Sequence, residues 1–324
     1  MRESDQNHLR DLNRTFYSNL VRLESPDIAT FLREAVASHQ PALMTGLMPG
    51  ELLSLETFER HAPKKMTVNL TPNGRADSVC ADLGVFQLPL EKEIDTALFL
   101  DMLRNPQPSD PCPYLSEQNN NLVTRFESTE SWSSTVMQMR SIVTPKELGL
   151  AAFGNVEASN LWIGDGRSTS SLHKDHYENV YCVHKGEKTF VLINPADVQF
   201  LQREATRSWE VRRWKEKSDD LVRPSIQNME LLPQALGEAS IDWIDDWERL
   251  SPAKISPLTV TVKAGEVLYL PALWFHEVSQ SKSEITIGVN FWCEMRFDHR
   301  WVLFQTLHLL GGGVVSTIET EIEE

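Results

Sequence analysis

Between Met66 and Phe291 the chain breaks into short runs rich in β-branched and aromatic residues, with turn residues between them. That texture restricts the fold more than any other feature, because strands so short bury their apolar faces only when many pack together. The pattern predicts strands over Met66 to Leu70, Asn160 to Gly164, Leu172 to Val183 and Lys188 to Ile193. Further strands are predicted over Leu258 to Val262, Val267 to Leu270 and Ile285 to Phe291. A β-sandwich or barrel with helices on its outside is the expected architecture. Leu9, Leu12, Phe16 and Leu20 recur at helical spacing and predict an N-terminal helix. Ser25-Pro26-Asp27 predicts a second helix, with Ser25 as its cap and a core stripe of Ile28, Phe31, Leu32, Ala35 and Val36. Pro41 to Met44 is a short extended apolar run. A last helix, from about Asp298 to Leu310, carries Trp301, Phe304, Leu307 and Leu310.

At 324 residues the chain has room for one large domain or two small ones. Three regions are expected: helical residues 1–65 packing on the core, a β domain over 66–297, and a C-terminal helix with an acidic tail over 298–324. The polar stretch over 202–256, with Asp242-Trp243-Ile244-Asp245-Asp246-Trp247 inside it, reads as an insertion between core strands.

Charge narrows the partners. Lys and Arg total 31 against 46 Asp and Glu, a net charge of -15. That balance argues against a general nucleic-acid binder and against attraction to anionic membranes, and it suits a basic peptide segment. No apolar run approaches the roughly 18 residues that span a bilayer. The polar start, Met1-Arg2-Glu3-Ser4-Asp5-Gln6, has no apolar segment of signal-peptide type, so a cytoplasmic location, extending to the nucleus, is expected. Cys80, Cys112, Cys182 and Cys293 form no C-x-x-C pair, which argues against a zinc finger.

Chemistry concentrates in Ser170-Ser171-Leu172-His173-Lys174-Asp175-His176-Tyr177-Glu178-Asn179-Val180-Tyr181-Cys182. Residues two apart in a strand share a face, so His173 and Asp175 would present an imidazole and a carboxylate side by side. His276 follows the strand Val267-Leu268-Tyr269-Leu270 and its closing Pro271. Two histidines and one carboxylate can cap one face of an octahedral metal, the facial triad of non-haem Fe(II) oxygenases. If Lys185-Gly186 is a two-residue hairpin turn, Lys188 shares a face with Tyr181, Asn179, Asp175 and His173. A lysine there could hold the far carboxylate of a metal-bound dicarboxylate. A lone H-x-D arises often by chance; His173-x-Asp175 with Lys188 in register and Leu-Pro-x-x-Trp-Phe-His276 downstream does not. His176, His184, His299 and His308 lack any such pattern and read as structural.

Taken together, these motifs resemble the Jumonji C (JmjC) family of Fe(II)- and 2-oxoglutarate-dependent oxygenases, whose core is a double-stranded β-helix of the cupin, or jelly-roll, type. The stretches Ser171 to Asn179, Gly186-Glu187-Lys188 and Ala264 to His276 are most similar to the Jumonji-domain-containing-seven subfamily. Val68-Asn69-Leu70-Thr71-Pro72-Asn73-Gly74-Arg75-Ala76-Asp77 and Val289-Asn290-Phe291-Trp292 fit it too, and the similarity is weakest over 202–256. The resemblance implies Fe(II), 2-oxoglutarate and O₂ as cofactor and co-substrates. It implies His173, Asp175 and His276 as catalytic metal ligands, and Lys188, assisted by the Tyr114 hydroxyl, as the partner of the 2-oxoglutarate C5 carboxylate. Ser170 stands where the subfamily often has Thr, and Asn179, Tyr181 and Asn290 would line the pocket.

The implied reaction is oxidative decarboxylation of 2-oxoglutarate coupled to hydroxylation of a C–H bond. The subfamily resemblance implies C3 hydroxylation of a lysine in a protein substrate, with GTPases of the developmentally regulated GTP-binding type as candidates. A histone lysine demethylase is the alternative, using the same metal chemistry on an N-methyl group. A histone-tail endopeptidase has no nucleophile triad or H-E-x-x-H motif in its favour. A cupin-fold binding module without chemistry is disfavoured by the intact triad and lysine. Related oxygenases dimerise through C-terminal helices, so a homodimer through the last helix is a further expectation.

Overall fold

The computed structural model describes residues 8, 11, 19–48, 52–80, 82–124, 156–205, 208–218, 222–240, 244 and 255–310. The helix predicted through Leu9, Leu12 and Phe16 lies outside these residues, as do most of the Asp242 to Trp247 segment and the acidic end of the chain. The chain opens with strands β1 (Val21–Glu24) and β2 (Ala42–Thr45), followed by β3 (Lys65–Thr71), β4 (Ser78–Cys80), β5 (Val85–Leu88), β6 (Leu90–Asp95) and β7 (Cys112–Tyr114). Next come β8 (Val156–Gly164), β9 (Thr169–His173), β10 (Tyr177–Lys185), β11 (Glu187–Ile193), β12 (Ser208–Glu216) and β13 (Met229–Ser240). The last four are β14 (Leu258–Lys263), β15 (Val267–Leu270), β16 (Phe275–Gln280) and β17 (Thr286–Glu294). Helices are α1 (Ile28–Phe31, continued by a π turn over Leu32–Val36), α2 (Leu55–His61), α3 (Thr96–Arg104), α4 (Asn121–Thr124), α5 (Val198–Ala205) and α6 (His299–Leu310).

Two sheets form the core. The larger has the order β1-β2-β15-β10-β17-β8 and the smaller β14-β11-β16-β9. From β8 to β11, and again from β14 to β17, the chain changes sheet at nearly every step, so it winds as a double-stranded β-helix. The expected fold class, mainly β with flanking helices, is the one observed. β10 shows why its sequence is almost continuously apolar. Tyr181 and Val183 pack between the sheets, while Val180 and Cys182 pack outward. A strand covered on both faces loses the polar alternation of a half-exposed one.

Several local expectations need correction. Leu172 to Val183 is not one strand: β9 ends at His173 and β10 begins at Tyr177. Lys185-Gly186 does not close a hairpin, because β10 pairs with β15 and β17 while β11 pairs with β14 and β16. Gly186 (φ +71°) turns the chain from one sheet to the other instead. Asp27, not Ser25, caps α1, accepting from the Thr30 N–H at 2.7 Å. Asp27 holds the extended conformation a cap requires, whereas Ser25 is left-handed (φ +42°). Residues 1–65 are not helical throughout. The apolar Ala42-Leu43-Met44 pairs with β15 and carries β1 with it, so two strands of this region belong to the larger core sheet.

Helices cover the outer faces. Phe31 of α1, Phe58 of α2 and Phe99 of α3 are completely buried in the cluster behind the larger sheet, each contributing roughly 2–3 kcal/mol of transfer free energy. Behind the smaller sheet, Leu201 of α5 and Trp301, Phe304 and Leu307 of α6 pack on Leu172, Ile193 and Phe275. Leu310 was expected in that stripe but is 46% exposed, with Val302 and Leu303 also outside. The 202–256 insertion contributes an antiparallel ribbon, β12 with β13, whose β12 adds in parallel to β5 to make the outer sheet β13-β12-β5-β4.

The loop between β3 and β4 is clamped onto the start of β9. Thr169 N–H donates to the Gly74 carbonyl at 2.9 Å. Gly74 has φ +76°, and a Cβ there would lie 1.8 Å from the Arg167 carbonyl oxygen. Gly74→Ala is therefore expected to destabilise the protein by at least about 2 kcal/mol, while Gly84→Ala, at a similar φ but in open space, should cost only about 1 kcal/mol. Urea denaturation of the two variants checks this; equal losses would mean the clash is relieved at no cost.

Candidate active site

Two strands of the smaller sheet deliver the histidines. His173 closes β9 and sits directly opposite His276 of β16. Their ring centroids are 4.2 Å apart. Asp175 is not strand-borne as expected. It lies in the link between β9 and β10, and Leu273 N–H holds that link by donating to the Asp175 carbonyl at 2.9 Å. Its carboxylate is thereby placed with Oδ1 3.9 Å from His173 Nε2 and Oδ2 3.5 Å from His276 Nε2. One ligand atom from each of the three lies within 4.8 Å of the others.

Backbone carbonyls set the tautomers. His173 Nδ1 is 2.7 Å from the Ser171 carbonyl oxygen, and His276 Nδ1 is 3.0 Å from that of Trp274. A carbonyl only accepts, so each Nδ1 carries a proton, and the neutral tautomer of each ring presents an unprotonated Nε2 toward Asp175. Burial, reinforced by the adjacent His276, pushes the His173 imidazole down to about 4. Two imidazole nitrogens and a carboxylate converging on one point form a donor set that fits a first-row divalent cation such as iron(II).

A second group lies between the sheets. Lys188, on β11, is only 1% exposed. Its Nζ donates to the Tyr114 hydroxyl at 2.8 Å and lies 5.2, 5.9 and 5.4 Å from the ring centres of Tyr114, Trp162 and Tyr181. Burial pushes the amine down to about 7. Among the described residues no carboxylate pairs with it, and the buried Tyr181 hydroxyl has no hydrogen-bond partner. An amine and hydroxyls desolvated in this way fit one end of a dicarboxylate such as 2-oxoglutarate.

A single cleft between the sheets unites both groups. It is lined by all nine residues singled out from sequence: His173, Asp175, His276, Lys188, Tyr114, Ser170, Asn179, Tyr181 and Asn290. Lys188 reaches the cleft from the sheet facing Tyr181 and Asn179, not from a neighbouring hairpin strand as the turn argument supposed. A buried chain of hydrogen bonds fixes one wall: Trp162 Nε1 donates to Asn290 Oδ1 at 2.8 Å, and Asn290 Nδ2 donates to Asn179 Oδ1 at 3.2 Å. Sequence reasoning missed Trp162, Trp292 and Asp77, which also line the cleft.

Comparison with known proteins agrees with this geometry. Residues 28–299 match the family model of the cupin-like domain. The chain is 31% identical to JmjC domain-containing protein E of Dictyostelium discoideum, over 89% of this chain and 88% of that protein. It is 32% identical to the human bifunctional peptidase and (3S)-lysyl hydroxylase JMJD7, over 91% of this chain and 85% of that protein. It is 34% identical to the lysine-specific demethylase JMJ32 of Arabidopsis thaliana, over 83% of this chain and 74% of that protein. The chain belongs to the cupin-like JmjC family of oxygenases, which use iron(II), 2-oxoglutarate and O₂.

Proposed function

We propose that this chain hydroxylates C3 of a lysine in a protein substrate, with His173, Asp175 and His276 holding iron(II) and Lys188 and Tyr114 holding the C5 carboxylate of 2-oxoglutarate. The observation that carries the reading is the meeting, in one cleft, of a His-Asp-His cluster and a buried lysine with no carboxylate partner among the described residues. Iron(II) bound there supplies the redox chemistry: 2-oxoglutarate and O₂ give succinate and CO₂, and the second oxygen atom enters a substrate C–H bond.

The protein's own residues do the orienting. The Nδ1 protons of His173 and His276 are held by carbonyls, which directs both Nε2 atoms toward Asp175, where the metal would bind. Tyr114 is held well above the usual phenol range, chiefly by burial, so it remains a neutral donor. It accepts from Lys188 and keeps its own O–H for the co-substrate carboxylate. Trp162, Phe190 and Trp292 line the cleft with aromatic surface.

Similarity across most of both chains to a protein named as a (3S)-lysyl hydroxylase supports lysine as the target. The subfamily resemblance supports GTPases of the developmentally regulated GTP-binding type as substrates, and the acidic chain suits a basic segment. Demethylation is the second reading, favoured by the similarity to a lysine-specific demethylase. Intact-mass analysis of such a GTPase after incubation with iron(II), 2-oxoglutarate and the protein separates them. A gain of one oxygen, absent with Asp175→Ala, is expected. Methyl loss from methyl-lysine peptides with release of formaldehyde, and no oxygen gain, would replace hydroxylase by demethylase.

A further inference from the structure

The segment Pro72-Asn73-Gly74-Arg75-Ala76-Asp77 has no part in the scheme above, yet Gly74, Ala76 and Asp77 line the same cleft as His173, Asp175 and Lys188. The Gly74 clamp onto β9 fixes one end of this segment. At the other end Ser78 is fully buried and its hydroxyl accepts from Gln87 Nε2 at 2.8 Å. Asp77 sits between these two anchors with a left-handed backbone (φ +48°) that few residues other than glycine adopt.

Asp77 and Asp175 are the two carboxylates among the described residues of the cleft. Asp175 faces the imidazoles. The Asp77 carboxylate has neither a hydrogen bond nor an ion pair among the described residues. Burial pushes its pKa up to about 6, against the pull of the Arg213 guanidinium. Arg213 is itself engaged by Glu91 at 2.5 Å and by the Pro89 carbonyl at 3.2 Å. Charge balance points the same way. A divalent metal, a dianionic co-substrate, the Lys188 cation and the Asp175 anion cancel, which leaves the Asp77 charge over. A cationic substrate side chain would neutralise it.

We infer that Asp77 receives the ammonium group of the substrate lysine and sets the preference for an unmethylated amine. The inference rests on the lysyl hydroxylase reading and supplies its substrate contact. An unmethylated ammonium offers a carboxylate three N–H donors, a trimethylated one offers none, and norleucine has the same stem without charge.

The test uses the full chain loaded with manganese(II) and 2-oxoglutarate. Fluorescent degenerate peptide libraries carry a fixed central lysine, norleucine or trimethyl-lysine, and binding is read by anisotropy. Wild-type protein should bind the lysine library at least about tenfold more tightly than the other two. Asp77→Asn should bring the three within about twofold of one another. Asp77→Gly, which suits the left-handed backbone, should do the same and guards against misfolding of the first variant. Either folded variant keeping the wild-type preference for lysine over norleucine would overturn the inference, as would a wild type without that preference. Iron-loaded wild type that demethylates trimethyl-lysine and adds no oxygen to lysine would overturn the hydroxylase reading instead. The binding ratios would still decide the role of Asp77.

Discussion

Asp175→Ala is expected to lower substrate hydroxylation by at least about a thousandfold, roughly 4 kcal/mol of lost transition-state stabilisation, while the protein still folds. The loss should be large because the carboxylate is the one anionic donor of the three, beside two imidazoles. Removing it takes away a metal bond and the charge that draws the dication. The fold should survive because Asp175 lies in a link outside the strand ladders, and the hydrogen bond it makes there uses its backbone carbonyl, which alanine retains. Succinate release and product mass read the first effect, calorimetric titration with metal reads its cause, and thermal melting reads the fold. Undiminished turnover in a folded Asp175→Ala protein would remove the triad from the chemistry.

Lys188→Ala should raise the 2-oxoglutarate concentration for half-maximal rate by about a hundredfold, in the range found when one partner of a buried charge pair is truncated. A pH signature goes with it. Burial holds the free amine near 7, and a bound carboxylate favours its charged form. Binding the co-substrate therefore takes up a proton above neutral pH. Affinity is fullest below about 7 and falls as pH rises through that value, by up to about tenfold per pH unit until the bound-state pKa is passed. His173, held near 4, stays neutral across this window and does not blur the effect. Lys188→Arg, whose guanidinium remains charged, should flatten the dependence if the fork is accommodated. A half-saturation value constant from about pH 6.5 to 8.5 in the wild type would show that no such proton is taken up.

How much of this site was legible differs residue by residue. His173-x-Asp175, His276 and Lys188 could be singled out from residue type and motif, and the structure gathers all four in one cleft. Tyr114 and Asn290 carry no signal of their own in an ordinary apolar setting, and only the family resemblance marked them. Asp77 was hidden for a different reason. A single aspartate after Asn73-Gly74 reads as a turn residue, and nothing local says that its carboxylate ends up desolvated in a cleft.

Lys188 lies in the expected cleft but meets it from the facing sheet and not from a hairpin partner. Alternation along one strand is a local property, while the identity of the strand it meets is not. By itself the sequence determined the side-chain period of each strand, the residue types of the cluster, the lysine and the glycines that permit sharp turns. Those depend on side-chain period and backbone sterics within a few residues. Only the tertiary structure decided that β10 and β11 part at Gly186 into facing sheets, that Asp175 leaves its strand to meet His276, and that the Gly74 loop brings Asp77 to the same cleft. Sheet membership is set by which apolar faces bury each other across long stretches of chain, and that free energy is not written in any one segment.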